Sequence, residues 1–511
     1  MPISKPDVTL NIIPAEQLLT IMDHRVLIVG QKTPAGSATS GELVRDVDDA
    51  TNVINGLFGQ RSILAEMVRE FKDYNKVTDL DVLPLDDNGS AVDATSTIVF
   101  TGTATAAGSL IVSFGSDKRY RATVNVSSGD TATAVASAVV TAFSTFTSSP
   151  FQVSSSTGTV TATAENGGTH ANSWTVLVEG DVAGIGFTVN AWASGANDPT
   201  LTGVLDVLGS TRYHTVVWPG AYDITVIEDE LNDRFNTSND VLDGVAFSVK
   251  KGTLSELKAA TATLNSQSLV VIGDKTVNET LRKGTSLREI PDVTASQAAA
   301  LRALRLTPNG NLTQFVTTTS SLDQFGGASL ASLPYFNTGL PNLPVPLPQD
   351  EFTFEDQDEL NDNAVSLIGA NRAFNTTIFG EMVTTYLTDT AGNPDTSYKF
   401  LNTVDTASVV RETFFLNYKN RYAQTRLTNG DLIAGRDMAN VESIRAFSLE
   451  IYRSLATSAL VQAGSDAEQD FLDNLIISLN LSTGTATINM APLLVSQLRA
   501  IIGTIQINFG G

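Results

Sequence analysis

Two stretches of the chain carry enough closely spaced carboxylates to suggest acid–base or metal chemistry. They are VIEDELNDRF, residues 226–235, and FTFEDQDELNDN, residues 352–363. Paired carboxylates hydrolyse glycosidic bonds, and suitably spaced ones bind calcium. The second stretch lacks the glycine and the ligand spacing of an EF-hand loop. Both are explained by helices: the first as a solvated face, and the second as a helix capped by Thr353 whose acidic first turn suits the helix dipole.

Other catalytic patterns are equally weak. The apolar run HRVLIVG ends in Gly30, as a nucleotide-binding unit would, but the following QKTPAG completes neither a dinucleotide fingerprint nor a P-loop. The histidines His24, His170 and His214 have no metal-binding spacing. A G-x-S-x-G elbow is missing from the sequence. We therefore predict no catalytic, cofactor-binding or metal-binding residue, and no enzymatic activity.

Composition and charge exclude some partners. Of 511 residues, 42% are hydrophobic and 17% charged, which predicts a folded chain of several domains. The 32 basic and 55 acidic residues give a formal charge of −23. Nucleic acid is therefore not an expected partner, since a phosphate backbone requires a basic surface.

The sequence features that indicate a cellular compartment agree with one another. The chain has no cysteine, so disulfides and thiolate metal sites are excluded, as suits folding in a reducing cytosol. Its first residues, MPISKPDVTLNIIP, lack the pattern of a signal peptide, and no apolar run is long enough to span a bilayer. We expect a protein assembled in the cytoplasm, without membrane insertion.

The periodicities predict a mixed α/β chain interrupted by a β-rich segment. Residues 21–88 read as strand, helix and strand, and residues 200–310 return to strand–helix alternation. Between them, residues 89–199 are rich in Thr, Ser, Ala, Gly and Val and read as short strands with one helix, capped by Asp130. We predict a mixed-sheet core covered by helices, an inserted mostly-β domain at 89–199, and a proline-rich connector at 333–350 before a C-terminal lobe at 351–502.

Both chain ends alternate apolar and polar residues. This is the period of a strand with one apolar face. The apolar positions are Val8, Leu10 and Ile12 near the start, and Ile505, Ile507 and Phe509 near the end. We predict an N-terminal arm at 1–20 and a C-terminal strand arm at 503–511. Either arm could pair within its own subunit or with a neighbouring one.

A helix is predicted from Ser465 to Leu479. Ser465 and Glu468 have the spacing of a capping box, and Phe471, Leu472, Leu475 and Ile476 form its apolar side. Its opposite side carries four acids: Asp466, Glu468, Asp470 and Asp473.

Residues 381–422 carry the most specific pattern. A strand-like TTYLTD precedes the turn-rich TAGNPDTSYKF, in which Gly392, Pro394 and Asp395 favour a turn. An amphipathic helix follows, with Val404, Ala407, Val410, Phe414 and Tyr418 on one stripe. This order resembles the contractile tail sheath proteins of bacteriophages, especially their Mu-like branch. The matching residues are Thr384, Thr385, Tyr386, Asp389, Gly392, Pro394, Asp395, Tyr398, Asn402 and Thr403.

The resemblance implies a structural subunit. Sheath subunits polymerise helically around an inner tail tube and contract to drive it through the host envelope. It implies a sheath core at 21–88 and 200–502 with residues 89–199 facing outward, strand exchange through the arms, and a tube-facing helix carrying Asp466, Glu468, Asp470 and Asp473. Further implied partners are the tail tube, baseplate and tail terminator proteins, with the assembled protein in the virion. Alternatives from other classes are an acidic α/β glycan hydrolase with a β insertion and a surface adhesin.

Overall fold

The computed structural model describes residues 23–237, 240–278, 282–308, 310–313 and 326–498. It divides the chain into two compact units, one containing residues 23–406 and 496–498 and the other residues 407–495. Helix α8 contributes residues to both units.

The described helices and strands are as follows. The helices are α1 (Thr51–Phe58), α2 (Ile63–Tyr74), α3 (Ala132–Phe143), α4 (Ile224–Phe235), α5 (Leu254–Thr261), α6 (Pro291–Leu306), α7 (Phe354–Asp362), α8 (Leu401–Tyr422), α9 (Val441–Thr457) and α10 (Ser465–Asp473). The strands are β1 (Arg25–Gln31), β2 (Asp79–Leu85), β3 (Asp93–Gly102), β4 (Gly108–Gly115), β5 (Arg121–Val126), β6 (Phe151–Ser156), β7 (Thr159–Gly167), β8 (Thr175–Glu179), β9 (Ile185–Ala193), β10 (Thr215–Val217), β11 (Val245–Gly252), β12 (Leu269–Asn278), β13 (Arg282–Thr285), β14 (Gly339–Leu340), β15 (Val365–Asn371), β16 (Thr376–Phe379), β17 (Arg426–Leu427), β18 (Met438–Ala439), β19 (Ile476–Asn480) and β20 (Thr485–Asn489).

Six parallel strands form the centre of the larger unit, in the order β2, β1, β10, β11, β12, β15. Ile28 on β1 pairs with Val82 on one side and Val217 on the other. These strands are nearly continuous apolar runs, because both faces of a parallel sheet are covered. The predicted mixed α/β class is confirmed.

Local signals explain several helix starts. Ser62 caps α2 by accepting from the backbone N–H of Ala65, and Asp223 caps α4 by accepting from that of Thr225. Thr353 and Asp356 form a reciprocal capping box at α7, as expected from its acidic first turn. The prediction that Asp130 caps α3 is wrong. Thr131 is the cap, and the Asp130 carboxylate instead accepts from the N–H of Ser127.

Residues 93–193 contain two antiparallel groups of strands and α3. One group has the order β6, β7, β3, β9. In the other, β8 pairs with β4 and with β13, which in turn pairs with β12 of the parallel sheet. The larger unit therefore has one hydrogen-bonded sheet that runs from its parallel centre into the β-rich segment.

A buried ion cluster joins the β-rich segment to α2 and to the start of α6. Arg119, in the turn between β4 and β5, approaches Glu66, Glu70 and Glu289 with N–O distances of 3.1, 2.5 and 3.4 Å. The carboxylate side chains are at most 4% exposed. Removing Arg119 would take away the guanidinium that the three buried carboxylates share, although Glu66 also pairs with Arg69 at 2.6 Å.

The stability of this junction depends on pH through Glu70. Burial, followed by the charges of Glu289 and Glu66, raises the pKa of Glu70 from 4.5 to about 7, against the opposing influence of Arg119 and Gln297. Between those values the folded state holds a proton that the unfolded chain has released. This contribution to stability is therefore complete below pH 4.5 and is lost as the pH rises through 7.

We expect Glu70→Gln to lower the pH sensitivity of unfolding. Its neutral amide resembles the protonated acid at every pH, so its melting temperature should fall less between pH 5 and pH 8 than that of the unaltered protein. Thermal unfolding followed by circular dichroism measures this. Equal declines in the two proteins would show that Glu70 does not titrate in this range.

The predicted strand TTYLTD is wrong. Residues 384–389 form only an isolated bridge, Thr388 with Pro394, beside a second bridge from Val383 to Phe400. The Thr385 hydroxyl instead donates to the carbonyl of Ser266, and the Tyr386 hydroxyl donates to Asp395. The backbone N–H of Thr385 donates to the carbonyl of Leu269 at the start of β12, but no further ladder bonds follow, so the segment is not a strand.

In the smaller unit, α8, α9 and α10 pack through aromatic side chains. Of the predicted stripe on α8, Val410 and Phe414 are buried, but Ala407 and Tyr418 are only partly buried. The polar residues Glu412, Thr413 and Asn417 are buried as well, so burial of α8 is not confined to one apolar stripe. Phe471 of α10 stacks on Tyr452 of α9 at 4.4 Å between ring centroids, and on Phe414 of α8 at 6.2 Å. The hairpin of β19 and β20 belongs to the same unit.

Candidate assembly surface

The six arm residues Val8, Leu10, Ile12, Ile505, Ile507 and Phe509 lie outside the described residues. Their strand character and their partners therefore stay predictions. The four acids of the predicted tube-facing helix are described, and all lie on α10.

Helix α10 is shorter than predicted. It ends at Asp473, and residues 476–480 form a strand instead of its last turns. The predicted capping box is also wrong, because Gly464 precedes the first turn and no side chain caps it. The Ser465 hydroxyl lies 3.3 Å from the carboxylate of Asp466 rather than on a backbone N–H.

The four acids of α10 fall into two classes. Glu468 pairs with Arg453 of α9 at 2.7 Å, and the hydrogen bond from Arg453 lowers the pKa of its carboxyl. Asp466, Asp470 and Asp473 are exposed. Phe471 fixes the opposite side of the helix in the core, so these three carboxylates form an anionic surface facing solvent.

Strands β19 and β20 form a hairpin in which each pairs only with the other among the described strands. Ile477 opposes Ile488, and Leu479 opposes Ala486. The turn contains Gly484 at a φ of 66°, a conformation that glycine adopts without strain. Two-stranded hairpins are marginal in water, and no other strand of the described residues pairs with either edge of this one.

A groove of about 410 Å³ lies beside the hairpin, within the smaller unit. Its lining is mostly apolar and aromatic, from α8, α9 and β20: Phe415, Tyr418, Tyr422, Ile444, Ala486 and Ile488. The hydroxyl of Tyr418 lies 2.7 Å from that of Ser448, and burial raises the pKa of Tyr418 to about 12. Its ring is thus held in place by a polar contact while it lines the groove.

The hairpin and the groove were missed from the sequence. The spacing of Phe471, Leu472, Leu475 and Ile476 continued a helical stripe and concealed the strand that starts at Ile476. The alternation IISLN and TATIN around the turn LSTG, with Gly484, was the signal for a hairpin. The groove gave no local signal, because its walls come from four elements that are separate in sequence, α8, α9, β17 and β20.

The carboxyl edge of the parallel sheet is where α/β proteins commonly bind ligands, at the point where strand order reverses between β1 and β10. Here the β-rich segment packs against the end of β1, while a cavity of about 410 Å³ remains beside the ends of β10, β11 and β12, lined by Gly220, Lys250 and Thr276 among others. The Gln31 side chain donates to the carbonyl of Gly167, and the Asn166 side chain donates to that of Lys32. Asn166 also accepts from the N–H of Ile63, the first residue of α2.

The candidate chemical residues are structural where they are described. His24 and His214 stack at 4.3 Å, and burial lowers the pKa of each well below its ordinary value, with Arg302 and Arg212 adding to the effect. Burial also lowers the pKa of His170 to about 4. Within the described ranges, no group of three or more His, Cys, Asp or Glu could hold a metal ion. No helix among these residues has the length and apolarity needed to cross a bilayer.

Comparison with known proteins agrees with the sequence pattern. No family model matches the chain. A Mu-like prophage tail sheath protein of Haemophilus influenzae is 31% identical over 241 residues, 46% of this chain and 48% of that protein, so the match spans about half of each.

Solved structures of low identity also align with the chain. The sheath tail protein of Listeria innocua is 10% identical with a TM-score of 0.46, covering 93% of this chain and 92% of that one. The sheath of an extracellular contractile injection system, in its contracted state, is 11% identical with a TM-score of 0.46, covering 99% and 98%. The matched proteins are described as sheath proteins and not as enzymes. The resemblance to Mu-like tail sheath proteins is thus confirmed as a similarity in sequence.

Proposed function

We propose that this protein is the structural subunit of a contractile tail sheath, which polymerises around a tail tube and contracts to drive it through a host envelope. The observation that carries the proposal is the 31% identity over 241 residues to a Mu-like prophage tail sheath protein. The glycan hydrolase and adhesin alternatives have no comparable support. Partners are further copies of this chain, the tube protein, and baseplate and terminator proteins, and the assembled protein lies in the virion after assembly in the host cytoplasm.

Self-assembly tests this function. In sedimentation velocity the full chain should form heavy polymers whose amount grows with concentration. A discrete small oligomer across the same concentrations would contradict it.

We further propose that subunits are linked by strand addition at the hairpin of β19 and β20. Its edge, which no other described strand pairs with, offers backbone donors and acceptors, and an arm with alternating apolar residues is the matching ligand. Strand pairs of this kind survive a rigid-body rotation of the subunits, since the arm can bend outside the paired residues. A lattice linked in this way could therefore contract without coming apart.

The tube-facing role of α10 is also a proposal, supported by the exposure of Asp466, Asp470 and Asp473. Glu468 serves a different purpose, because its pairing with Arg453 ties α10 to α9. The carboxylates would meet basic groups on the tube, and such surface attraction weakens in salt.

Reversing charge at Asp470 and Asp473 with lysine is expected to weaken decoration of the tube while sheath-only polymers still form. Lysine at both Glu355 and Asp358, two exposed acids on α7, makes the same change in charge and is the matched control, which should change nothing. Cosedimentation with purified tubes at low and high salt provides the readout. Equal decoration by both variants would remove α10 from the tube interface.

Residues 89–199 are proposed to face outward in the assembled sheath. Because the chain has no cysteine, a single Ser155→Cys in exposed β6 can be labelled specifically. We expect maleimide to react with it as fast in tubes as in free subunits, whereas Asp470→Cys should be protected once a tube is enclosed. Protection of Ser155→Cys in tubes would contradict the outward placement.

A further inference from the structure

The groove beside β20 has a composition that selects its occupant. Phe415, Tyr418 and Tyr422 lie one turn apart on α8 and form an aromatic wall. Tyr418 and Tyr422 are stacked at 6.2 Å between centroids, and the Tyr418 hydroxyl is engaged with Ser448. Ile444 adds an aliphatic surface from α9. Lys419 and Thr425 also line the groove, and the Lys419 ammonium lies 5.2 Å from the centroid of the Phe415 ring. A side chain entering this groove meets ring faces, methyl groups and one cation, and an aromatic ring can contact all three favourably.

Strand geometry places alternate side chains of an added strand over this groove. Ala486 and Ile488, two residues apart on β20, both line it, so one face of the hairpin is turned toward it. A strand paired with the outer edge of β20 would present every second residue on that same face. Ile505, Ile507 and Phe509 have this spacing.

Among the six apolar arm residues, Phe509 alone is aromatic. Val8, Leu10 and Ile12 of the N-terminal arm are aliphatic, as are Ile505 and Ile507. The described chain ends at Leu498, where Gln497 donates to Glu381 of the larger unit. The following segment, 499–511, could extend about 40 Å, long enough to reach a second subunit.

We propose that the groove lined by Phe415, Tyr418, Tyr422, Ile444, Ala486 and Ile488 is an anchor site for Phe509 of a second copy of this chain. The proposal rests on the strand linkage of the proposed function and adds a side-chain lock to it. Backbone hydrogen bonds would hold the arm on the hairpin in any register. The aromatic anchor would select one register, because a slip of one residue turns Phe509 to the opposite face of the strand.

Peptide binding separates the anchor from the strand linkage. The host is the full chain carrying Ile507→Pro, which blocks its own arm, and the probe is a fluorescein-labelled peptide of residues 499–511. Fluorescence anisotropy should show saturable binding. A Phe509→Ala peptide should bind roughly 30-fold more weakly, and a Phe509→Tyr peptide within about 3-fold.

A change on the groove side completes a double-mutant cycle. Ala486→Trp fills the groove, so the host should lose affinity for the unaltered peptide by a similar factor, and Phe509→Ala should then add little. Ala486→Ser is the matched control and should bind normally. Circular dichroism checks that each host is folded. If a groove variant does not fold, the Phe509→Ala peptide still tests the anchor, because it leaves the host's groove unaltered.

Each negative result shows whether the anchor or the strand linkage is wrong. Equal binding of the unaltered and Phe509→Ala peptides would overturn the anchor and leave strand addition standing. No binding of any peptide to a folded host would overturn the strand linkage itself. Stronger binding of a peptide of residues 5–14, lost in Ala486→Trp, would assign the groove to the N-terminal arm and contradict the proposal.

Discussion

A subunit carrying Ile507→Pro is expected to purify as a folded protein that no longer forms tubes. Proline removes a backbone donor from the predicted strand Thr504 to Phe509 and is excluded from paired positions in sheets. If each hydrogen bond contributes a net ~0.5–1.5 kcal/mol, about four or five bonds with the burial of Ile505, Ile507 and Phe509 link two subunits by several kcal/mol. Deleting residues 503–511 should have the same effect. Sedimentation with circular dichroism separates loss of assembly from loss of folding.

Gln506→Ala is the control for this experiment. It leaves the backbone donor in place and alters only the polar face of the arm, so tubes should form normally. Tubes of normal length from the Ile507→Pro subunit would mean that the arm does not link subunits, and the strand-addition account would have to be abandoned.

Arg119→Met is expected to lower the free energy of unfolding by about 3–5 kcal/mol, as found when one partner of a buried ion pair is removed. Glu66, Glu70 and Glu289 would stay buried and lose the guanidinium that all three contact, while Glu66 keeps its pair with Arg69. The loss should be smaller at pH 5, where Glu70 is protonated. Urea unfolding at pH 5 and pH 8 measures both effects.

Arg121→Met, two residues further on, supplies a matched comparison. Arg121 pairs with Glu179 at 2.8 Å, and both side chains are about two-fifths exposed, at 41% and 38%. A second carboxylate near Arg121, that of Asp117, is more distant at 3.9 Å and also pairs with Arg288. Exposed pairs contribute roughly 0–1 kcal/mol, so this change should cost little. Similar losses of unfolding free energy in the two variants would show that burial of the Arg119 cluster does not increase its contribution to stability.

Elements specified by local pattern were predictable from the sequence. The apolar run of β1, the Ser62 cap of α2 and the Thr353 cap of α7 each left a signal that short-range physics can interpret. The acidic stretch VIEDELNDRF, interpreted as helical, lies within α4 (Ile224–Phe235). In these elements the structure preferred by the local sequence is also the one found in the folded protein, so tertiary packing did not change it.

Features built from distant residues were not predictable. Arg119 meets Glu66 and Glu289, which lie 53 and 170 positions away, so no window of sequence contains the cluster. The hairpin failed for a different reason. Leu475 and Ile476 extend the stripe of α10, yet Leu475 is buried while Ile476 is 62% exposed and begins a strand. The helical spacing of apolar residues in α10 thus continued by coincidence into a strand, where apolar residues alternate with polar ones.

The candidate site divides in the same way. Asp466, Asp470 and Asp473 were identified as one exposed acidic side, since helical spacing is local. The separate role of Glu468 required Arg453, 15 positions away on another helix. The aromatic groove required α8, α9 and β20 together.

Negative-stain electron microscopy of the purified full chain tests the central claim most directly. A sheath subunit should appear as long hollow tubes or stacked rings, and coexpressed tail tube protein should occupy the tube interior. The result that would contradict the assignment as a contractile sheath is a field of uniform small particles, from folded protein, at every concentration tested.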